Sequence, residues 1–80
     1  MTIEYHLYSS EGCHLCEQAL DLFTQVTNQE VVKVIDIVDN ELNEINLVEL
    51  YGVHIPVLER LSDNTKLFWP FNIEQIKTFI

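Results

Sequence analysis

Cys13 and Cys16 are the residues of this sequence best suited to covalent chemistry. A cysteine thiolate is both a nucleophile and a metal ligand, so two cysteines at this spacing can form a reversible disulfide or supply half of a zinc site. They are the only cysteines among 80 residues, whereas a framework of structural disulfides needs more cysteines at longer spacings. The pair therefore indicates redox chemistry or metal binding.

The segments on either side of the pair predict where the two thiols lie. Ile3–Tyr8 alternates apolar and polar residues as a strand does, and Ser9–Gly12 has the composition of a loop. From His14 to about Val26, apolar residues recur at helical spacing. A thiolate at the start of a helix is stabilised by unpaired N–H groups and by the helix dipole. Cys13 is therefore the predicted nucleophile, and Cys16, about one turn further on, is the predicted resolving thiol.

The rest of the pattern predicts an α/β fold with the order β-α-β-α-β-β-α in one domain over residues 1–80. Further strands are expected at Val31–Ile37, Val57–Leu61 and Lys66–Trp69, and further helices at Glu41–Tyr51 and Ile73–Ile80, the last one capped by Asn72. The β-branched second strand is expected to be largely buried. The right-handed crossover rule makes the first two strands parallel within a four-stranded mixed sheet, with helices packed on its faces.

The charge of the chain excludes several classes of partner. Thirteen acidic residues against four basic ones give a net charge of -9, and no Lys or Arg precedes Lys33. Such a charge repels phosphate backbones and anionic lipid surfaces, and it favours cationic partners or serves solubility. No apolar run approaches the roughly 20 residues of a membrane span, and no targeting segment is recognised. We therefore expect a cytoplasmic protein that binds neither nucleic acid nor membrane.

Over essentially its whole length the chain resembles the glutaredoxin-like branch of the thioredoxin superfamily. The matching segments are Cys13-His14-Leu15-Cys16 after the first strand, Ile55-Pro56 before the third, and Trp69-Pro70-Phe71-Asn72 before the last helix. The resemblance implies a thioredoxin-like fold of the glutaredoxin type. It also implies a monomeric thiol-disulfide oxidoreductase that acts on glutathione mixed disulfides or protein disulfides, has no bound cofactor, and receives electrons from a reductase or from glutathione.

The resemblance assigns roles to individual residues. Pro56 would be cis and face the dithiol, and Ile55 would offer its backbone N–H and C=O to a glutathionyl or peptide strand. His14 and Leu15, between the cysteines, and Asn72, before the last helix, are the other candidate substrate contacts.

The chain also departs from the glutaredoxin pattern. His14-Leu15 replaces the usual Pro-Tyr pair, Phe71-Asn72 replaces a Gly-Gly-Asp-like turn, and no Lys precedes the motif. These departures argue against tight glutathione binding, although glutathione stays a candidate co-substrate. Glu11 and Glu17 flank the motif, and their charge disfavours a thiolate, which a protonated His14 would offset.

Two alternatives to a redox enzyme remain at this point. In the first, Cys13 and Cys16, with His14 or His54, hold zinc or share an iron-sulfur cluster between two chains. In the second, the chain is an adaptor that binds a partner protein through its acidic face. His6 and His54 are otherwise expected to be structural, and Trp69 and Phe71 to pack in the core or at its rim.

Overall fold

The computed structural model describes residues 2–38 and 54–80, which form a sheet and two α-helices. The strands are β1 (Tyr5–Ser9), β2 (Val32–Asp36), β3 (Val57–Arg60) and β4 (Thr65–Phe68), and the helices are α1 (His14–Val26) and α2 (Ile73–Phe79). A short 3-10 turn at Gln29–Val31 precedes β2. The predicted helix at Glu41–Tyr51 lies outside the described residues. None of the helices in the described ranges is long and apolar enough to cross a membrane.

The four strands form one mixed sheet in the order β2-β1-β3-β4. β1 runs parallel to β2, with Ser9 opposite Asp36, and antiparallel to β3, with Tyr8 opposite Val57. β3 and β4 form an antiparallel hairpin. The parallel β-α-β unit and the mixed sheet are as predicted, and the observed strand and helix ends lie within two residues of the predicted ones.

The expectation that the second strand is largely buried is wrong. β2 lies at one edge of the described sheet, where Lys33 and Val34 are exposed, Val34 to 47%. A run of β-branched residues reports how well a segment fits a strand. It does not report whether that strand lies at the centre or the edge of a sheet, because strand order depends on distant parts of the chain.

The larger core lies between the sheet and the two helices. Its buried members are Tyr5, Leu7, Ala19, Phe23, Val32, Leu58, Phe71, Ile76 and Phe79. The ring of Phe23, 1% exposed, packs edge-on against Tyr5 with centroids 5.4 Å apart. The apolar face predicted for α1 thus faces the core, and this packing holds the helix that begins beside the cysteines against β1.

Arg60 attaches the C-terminal end of α2 to the β3–β4 hairpin. Its guanidinium donates to Asp63 Oδ2 at 2.7 Å and to the carbonyl oxygen of Phe79, and it lies 5.1 Å from the centre of the Phe79 ring. A cation at the C-terminus of a helix also interacts favourably with the helix dipole. The hydrogen bonds from Arg60 and from the Thr65 N–H hold the pKa of Asp63 well below its usual range.

A buried carboxylate lies on the other face of the sheet. Glu59, 7% exposed, accepts a 2.6 Å hydrogen bond from the Tyr8 hydroxyl and a 3.3 Å bond from Asn64, and Lys66 Nζ lies 3.5 Å away. Burial raises the pKa of Glu59, but the bonds from Tyr8 and Asn64 and the charge of Lys66 together lower it below its usual 4.5. The strand alternation did not single out Glu59 or its contact with Tyr8.

We expect this carboxylate to make the fold sensitive to acid. Because the folded-state pKa of Glu59 is depressed, its contribution is present above the unfolded value of 4.5 and is lost as pH falls through the folded pKa. Asp63 adds to the same trend. Urea unfolding between about pH 5 and pH 3 should therefore show a shallower loss of stability in Glu59→Gln than in the unchanged chain. Glu74→Gln, on the exposed first turn of α2, is the control. Equal slopes for the Glu59 variant and the unchanged chain would contradict the prediction.

Candidate active site

A tight loop carries the chain from β1 to the first cysteine. Gly12 has φ of 79°, in the left-handed region that glycine adopts without steric cost, and the Cys13 N–H donates to the Ser10 carbonyl at 3.2 Å. Cys13 is the N-cap of α1, with extended backbone angles, and its carbonyl accepts from the Glu17 N–H. The loop therefore places Cys13 just beyond the end of β1 and directly before the first residue of α1.

The two cysteines have different surroundings although they form one disulfide, with Cα atoms 5.2 Å apart. Cys13 is partly exposed, and its sulfur accepts the Cys16 backbone N–H at 3.1 Å. Cys16 is 3% exposed beneath the first helical turn. When the disulfide is reduced, the N–H donor and the helix dipole both favour the thiolate form of Cys13. Solvent therefore reaches Cys13 more readily than Cys16.

The residues between and beside the cysteines form the outer surface of the site. His14, Leu15 and Glu17 are all exposed, and His14 Nδ1 lies 3.5 Å from Glu17 Oε2. A contact this exposed contributes little to stability. Glu11 is exposed on the other side of Cys13. The carboxylates predicted to flank the motif thus do so in the folded chain.

Pro56 lies at the same end of the sheet as the dithiol. The Ile55–Pro56 peptide bond is cis, Pro56 is buried directly before β3, and its carbonyl accepts from the Trp69 N–H at 3.3 Å. Since Val57 pairs with Tyr8, the start of β3 lies beside the end of β1. Ile55 is half-buried and packs against the cluster of Tyr8, Ile37 and Val57. Backbone pairing of Ile55 with a substrate stays a prediction.

Asn72 is the N-cap of α2, as predicted. Its Oδ1 accepts from the Gln75 N–H, and its own N–H donates to Gln75 Oε1, both at 2.9 Å, so the two residues form a capping box. The cap uses the side-chain oxygen and the backbone N–H of Asn72. Its role in binding substrate stays a prediction, as do the substrate roles of His14, Leu15 and Pro56.

The two remaining histidines and the aromatic pair before α2 make packing contacts. His54 packs edge-on against the exposed Phe68 ring at 5.6 Å, and His6 lies 4.0 Å from Glu59 Oε1. The rings of Trp69 and Phe71 are 5.1 Å apart. Within residues 2–38 and 54–80, no group of three His, Cys, Asp or Glu side chains is arranged to hold a metal ion.

Sequence reasoning missed Asp36 as a residue near the site. The parallel pairing of β1 and β2 places it opposite Ser9, and its Oδ1 accepts the Val38 N–H at 2.8 Å. Asp36, Val38, Ser10 and Glu11 line one surface depression beside the loop that carries Cys13. The available signal was that parallel strands end at the same edge of a sheet, so a polar residue at the end of β2 lies near the end of β1.

Comparisons with known proteins agree with this architecture. An X-ray structure of the structural genomics target protein XcR50 from X. campestris superposes with a TM-score of 0.79 at 28% sequence identity, covering 94% of this chain and 92% of that one. Among curated proteins, none matches the sequence. The sequence model of the glutaredoxin-like domain (DUF836) matches residues 4–80. The chain therefore belongs to the glutaredoxin-like domain family, within the thioredoxin superfamily.

Proposed function

We propose that this protein is a thiol-disulfide oxidoreductase that reduces or exchanges disulfides through Cys13 and Cys16. The observation that supports this best is the asymmetry of the pair. Cys13 is partly exposed at the N-cap of α1, where its sulfur accepts an N–H, whereas Cys16 is buried beneath it. A nucleophile needs access and a stabilised thiolate, and a resolving thiol needs protection from outside reagents.

The reaction proceeds in two exchanges. The Cys13 thiolate attacks one sulfur of a substrate disulfide, so that a mixed disulfide forms and the first substrate thiolate leaves and takes a proton from water. Cys16, deprotonated, then attacks the Cys13 sulfur, the Cys13–Cys16 disulfide forms, and the second substrate thiolate leaves and is protonated. The substrate gains two electrons and two protons, and the protein dithiol loses them. A reductase or glutathione returns the electrons.

The start of β3 is the proposed docking edge for the substrate. Ile55 precedes the cis Pro56 at the end of the sheet where Cys13 lies, which supports the proposal that its backbone pairs with an extended substrate segment. Protein disulfides and glutathione mixed disulfides are both proposed substrates. The monomeric state, the cytoplasmic location and the absence of a bound cofactor stay predictions.

A redox titration tests the proposal. Protein equilibrated in dithiothreitol buffers of graded potential, then alkylated and weighed by mass spectrometry, should show one reversible two-electron transition between about -270 and -180 mV, the range of soluble dithiol enzymes. The double variant Cys13→Ser, Cys16→Ser is the control and should show none. Stoichiometric zinc or visible cluster absorbance in the isolated protein, without such a transition, would refute the proposal in favour of the metal-binding alternative.

A further inference from the structure

The charges of the protein are distributed unevenly along the strands. We call the end of the sheet where β1 and β2 finish and β3 begins the dithiol end. Glu11 and Glu17 are exposed on either side of Cys13, and Asp36 lies opposite Ser9 at the end of β2. The loop before Cys13, helix α1 and the end of β2 thus each contribute a carboxylate to the dithiol end.

Three of the four Lys and Arg residues lie at strand positions nearer the end of the sheet opposite the dithiol end. Lys33 on β2 lies opposite His6, and Arg60 on β3 lies opposite Tyr5. Lys66 on β4 lies opposite Glu59, which itself lies opposite His6. Because a strand rises about 3.3 Å per residue, the residues level with His6 lie about 10 Å along the sheet from those level with Ser9. Arg60 and Lys66 are also already engaged by carboxylates, at 2.7 Å and 3.5 Å respectively.

The fourth basic residue, Lys77, also lies away from the dithiol. It is in the last turn of α2, which ends at Phe79. The centres of the Phe79 and Tyr5 rings are 6.4 Å apart, and Tyr5 lies at the end of β1 farthest from Ser9. Residues 39–53 contain four acidic residues and no Lys, Arg or His, so that segment brings no cation to any part of the molecule.

We propose that this charge distribution makes the dithiol selective for disulfides in positively charged polypeptide segments, in which Lys or Arg flanks the reacting cysteine. Anionic disulfides, including that of glutathione, are disfavoured at the same site. The inference rests on the proposed redox function and specifies its substrate class. Glu11, Glu17 and Asp36 act as specificity-determining residues, because they attract a cationic segment to Cys13 and repel an anionic one.

The test compares peptide disulfides that differ only in charge. Three synthetic disulfide peptides carry Lys, Gln or Glu at the positions flanking the cysteine, and glutathione disulfide is the fourth substrate. Reduced protein is mixed with each one, and the rate is divided by that of dithiothreitol with the same disulfide, which corrects for differences in the leaving thiol. At 0.01 M salt the corrected rate should be about tenfold higher for the Lys peptide than for the Glu peptide.

Salt and a matched pair of variants identify the cause of the preference. The Debye screening length falls from about 30 Å at 0.01 M salt to about 3 Å at 1 M. The ratio of the Lys-peptide rate to the Glu-peptide rate should therefore fall to within about twofold at 1 M salt. The triple variant Glu11→Gln, Glu17→Gln, Asp36→Asn should lose most of the ratio even at low salt. The control is a second triple variant, Glu4→Gln, Asp21→Asn, Glu30→Gln. It removes the same charge from exposed positions outside the dithiol end and should keep the rate ratio. Using the ratio cancels any change in the reactivity of Cys13 itself.

The outcomes separate this inference from the proposed function. Equal corrected rates for the Lys, Gln and Glu peptides, or a ratio that the two triple variants lose equally, would overturn the charge selectivity while leaving the oxidoreductase intact. Failure to react with any of the four substrates, the uncharged peptide included, would instead overturn the proposed function.

Discussion

Replacing Cys13 with Ser is expected to abolish disulfide reduction, and replacing Cys16 with Ser is expected to stop the reaction halfway, with substrate attached to Cys13. The difference follows from access. Cys13 is partly exposed at the helix start and Cys16 is buried, so we expect Cys13 to make the first attack and Cys16 to resolve the mixed disulfide. Loss of a nucleophile lowers turnover by several orders of magnitude.

Mass spectrometry of the intact protein distinguishes the two variants. After incubation with a small excess of a peptide disulfide, Cys16→Ser should gain the mass of one peptide half, and Cys13→Ser should stay at its own mass. The alkylation rates of the reduced, unchanged protein give an independent check, because Cys13 should react much faster than Cys16. Equal alkylation rates, or trapping of substrate by Cys13→Ser, would contradict the assignment of the two thiols.

Replacing Phe23 with Ala is expected to lower the free energy of unfolding by about 3–5 kcal/mol, the usual cost of removing a buried aromatic ring. Phe23 is 1% exposed and packs from α1 against the ring of Tyr5 on β1, an inner strand of the described sheet. Its removal leaves a cavity under the helix that carries both cysteines. Chemical unfolding followed by circular dichroism measures the change in stability.

Phe68→Ala is the matched control, because it removes the same ring from a position that is 47% exposed at the end of β4. Its cost should be well below that of Phe23→Ala, since a half-exposed side chain transfers less apolar surface from water. A loss of stability in Phe23→Ala no larger than in Phe68→Ala would contradict the packing described for α1. Under conditions where it stays folded, Phe23→Ala should still form the Cys13–Cys16 disulfide.

The acidic surface around Cys13 bears on both the family and the chemistry. The chain belongs to the glutaredoxin-like family, yet it lacks the cationic residue before the motif and the Gly-Gly-Asp-like turn that are typical of glutaredoxins. Glu11 and Asp36 line one depression beside the loop that carries Cys13, so we expect the local charge to oppose the carboxylates of glutathione. The peptide series described above tests whether this difference redirects the dithiol toward basic polypeptides.

The sequence by itself determined the features that depend on near neighbours along the chain. The helical spacing after Cys13 predicted α1, and the helix start predicted the environment of the Cys13 sulfur, which accepts the Cys16 N–H. Asn72 was likewise predicted as a cap and forms one. Periodicity and capping involve residues within about one helical turn, so a single sequence carries them directly.

The tertiary structure alone decided the features that depend on strand order and register. It placed β2 at an edge of the described sheet, brought Asp36 beside Ser9, and buried Glu59 against Tyr8 across 51 residues of sequence. The same register put the basic strand residues away from the dithiol. These contacts join residues far apart in the chain, and strand pairing is chosen by the packing of the whole sheet, so no local pattern reports them.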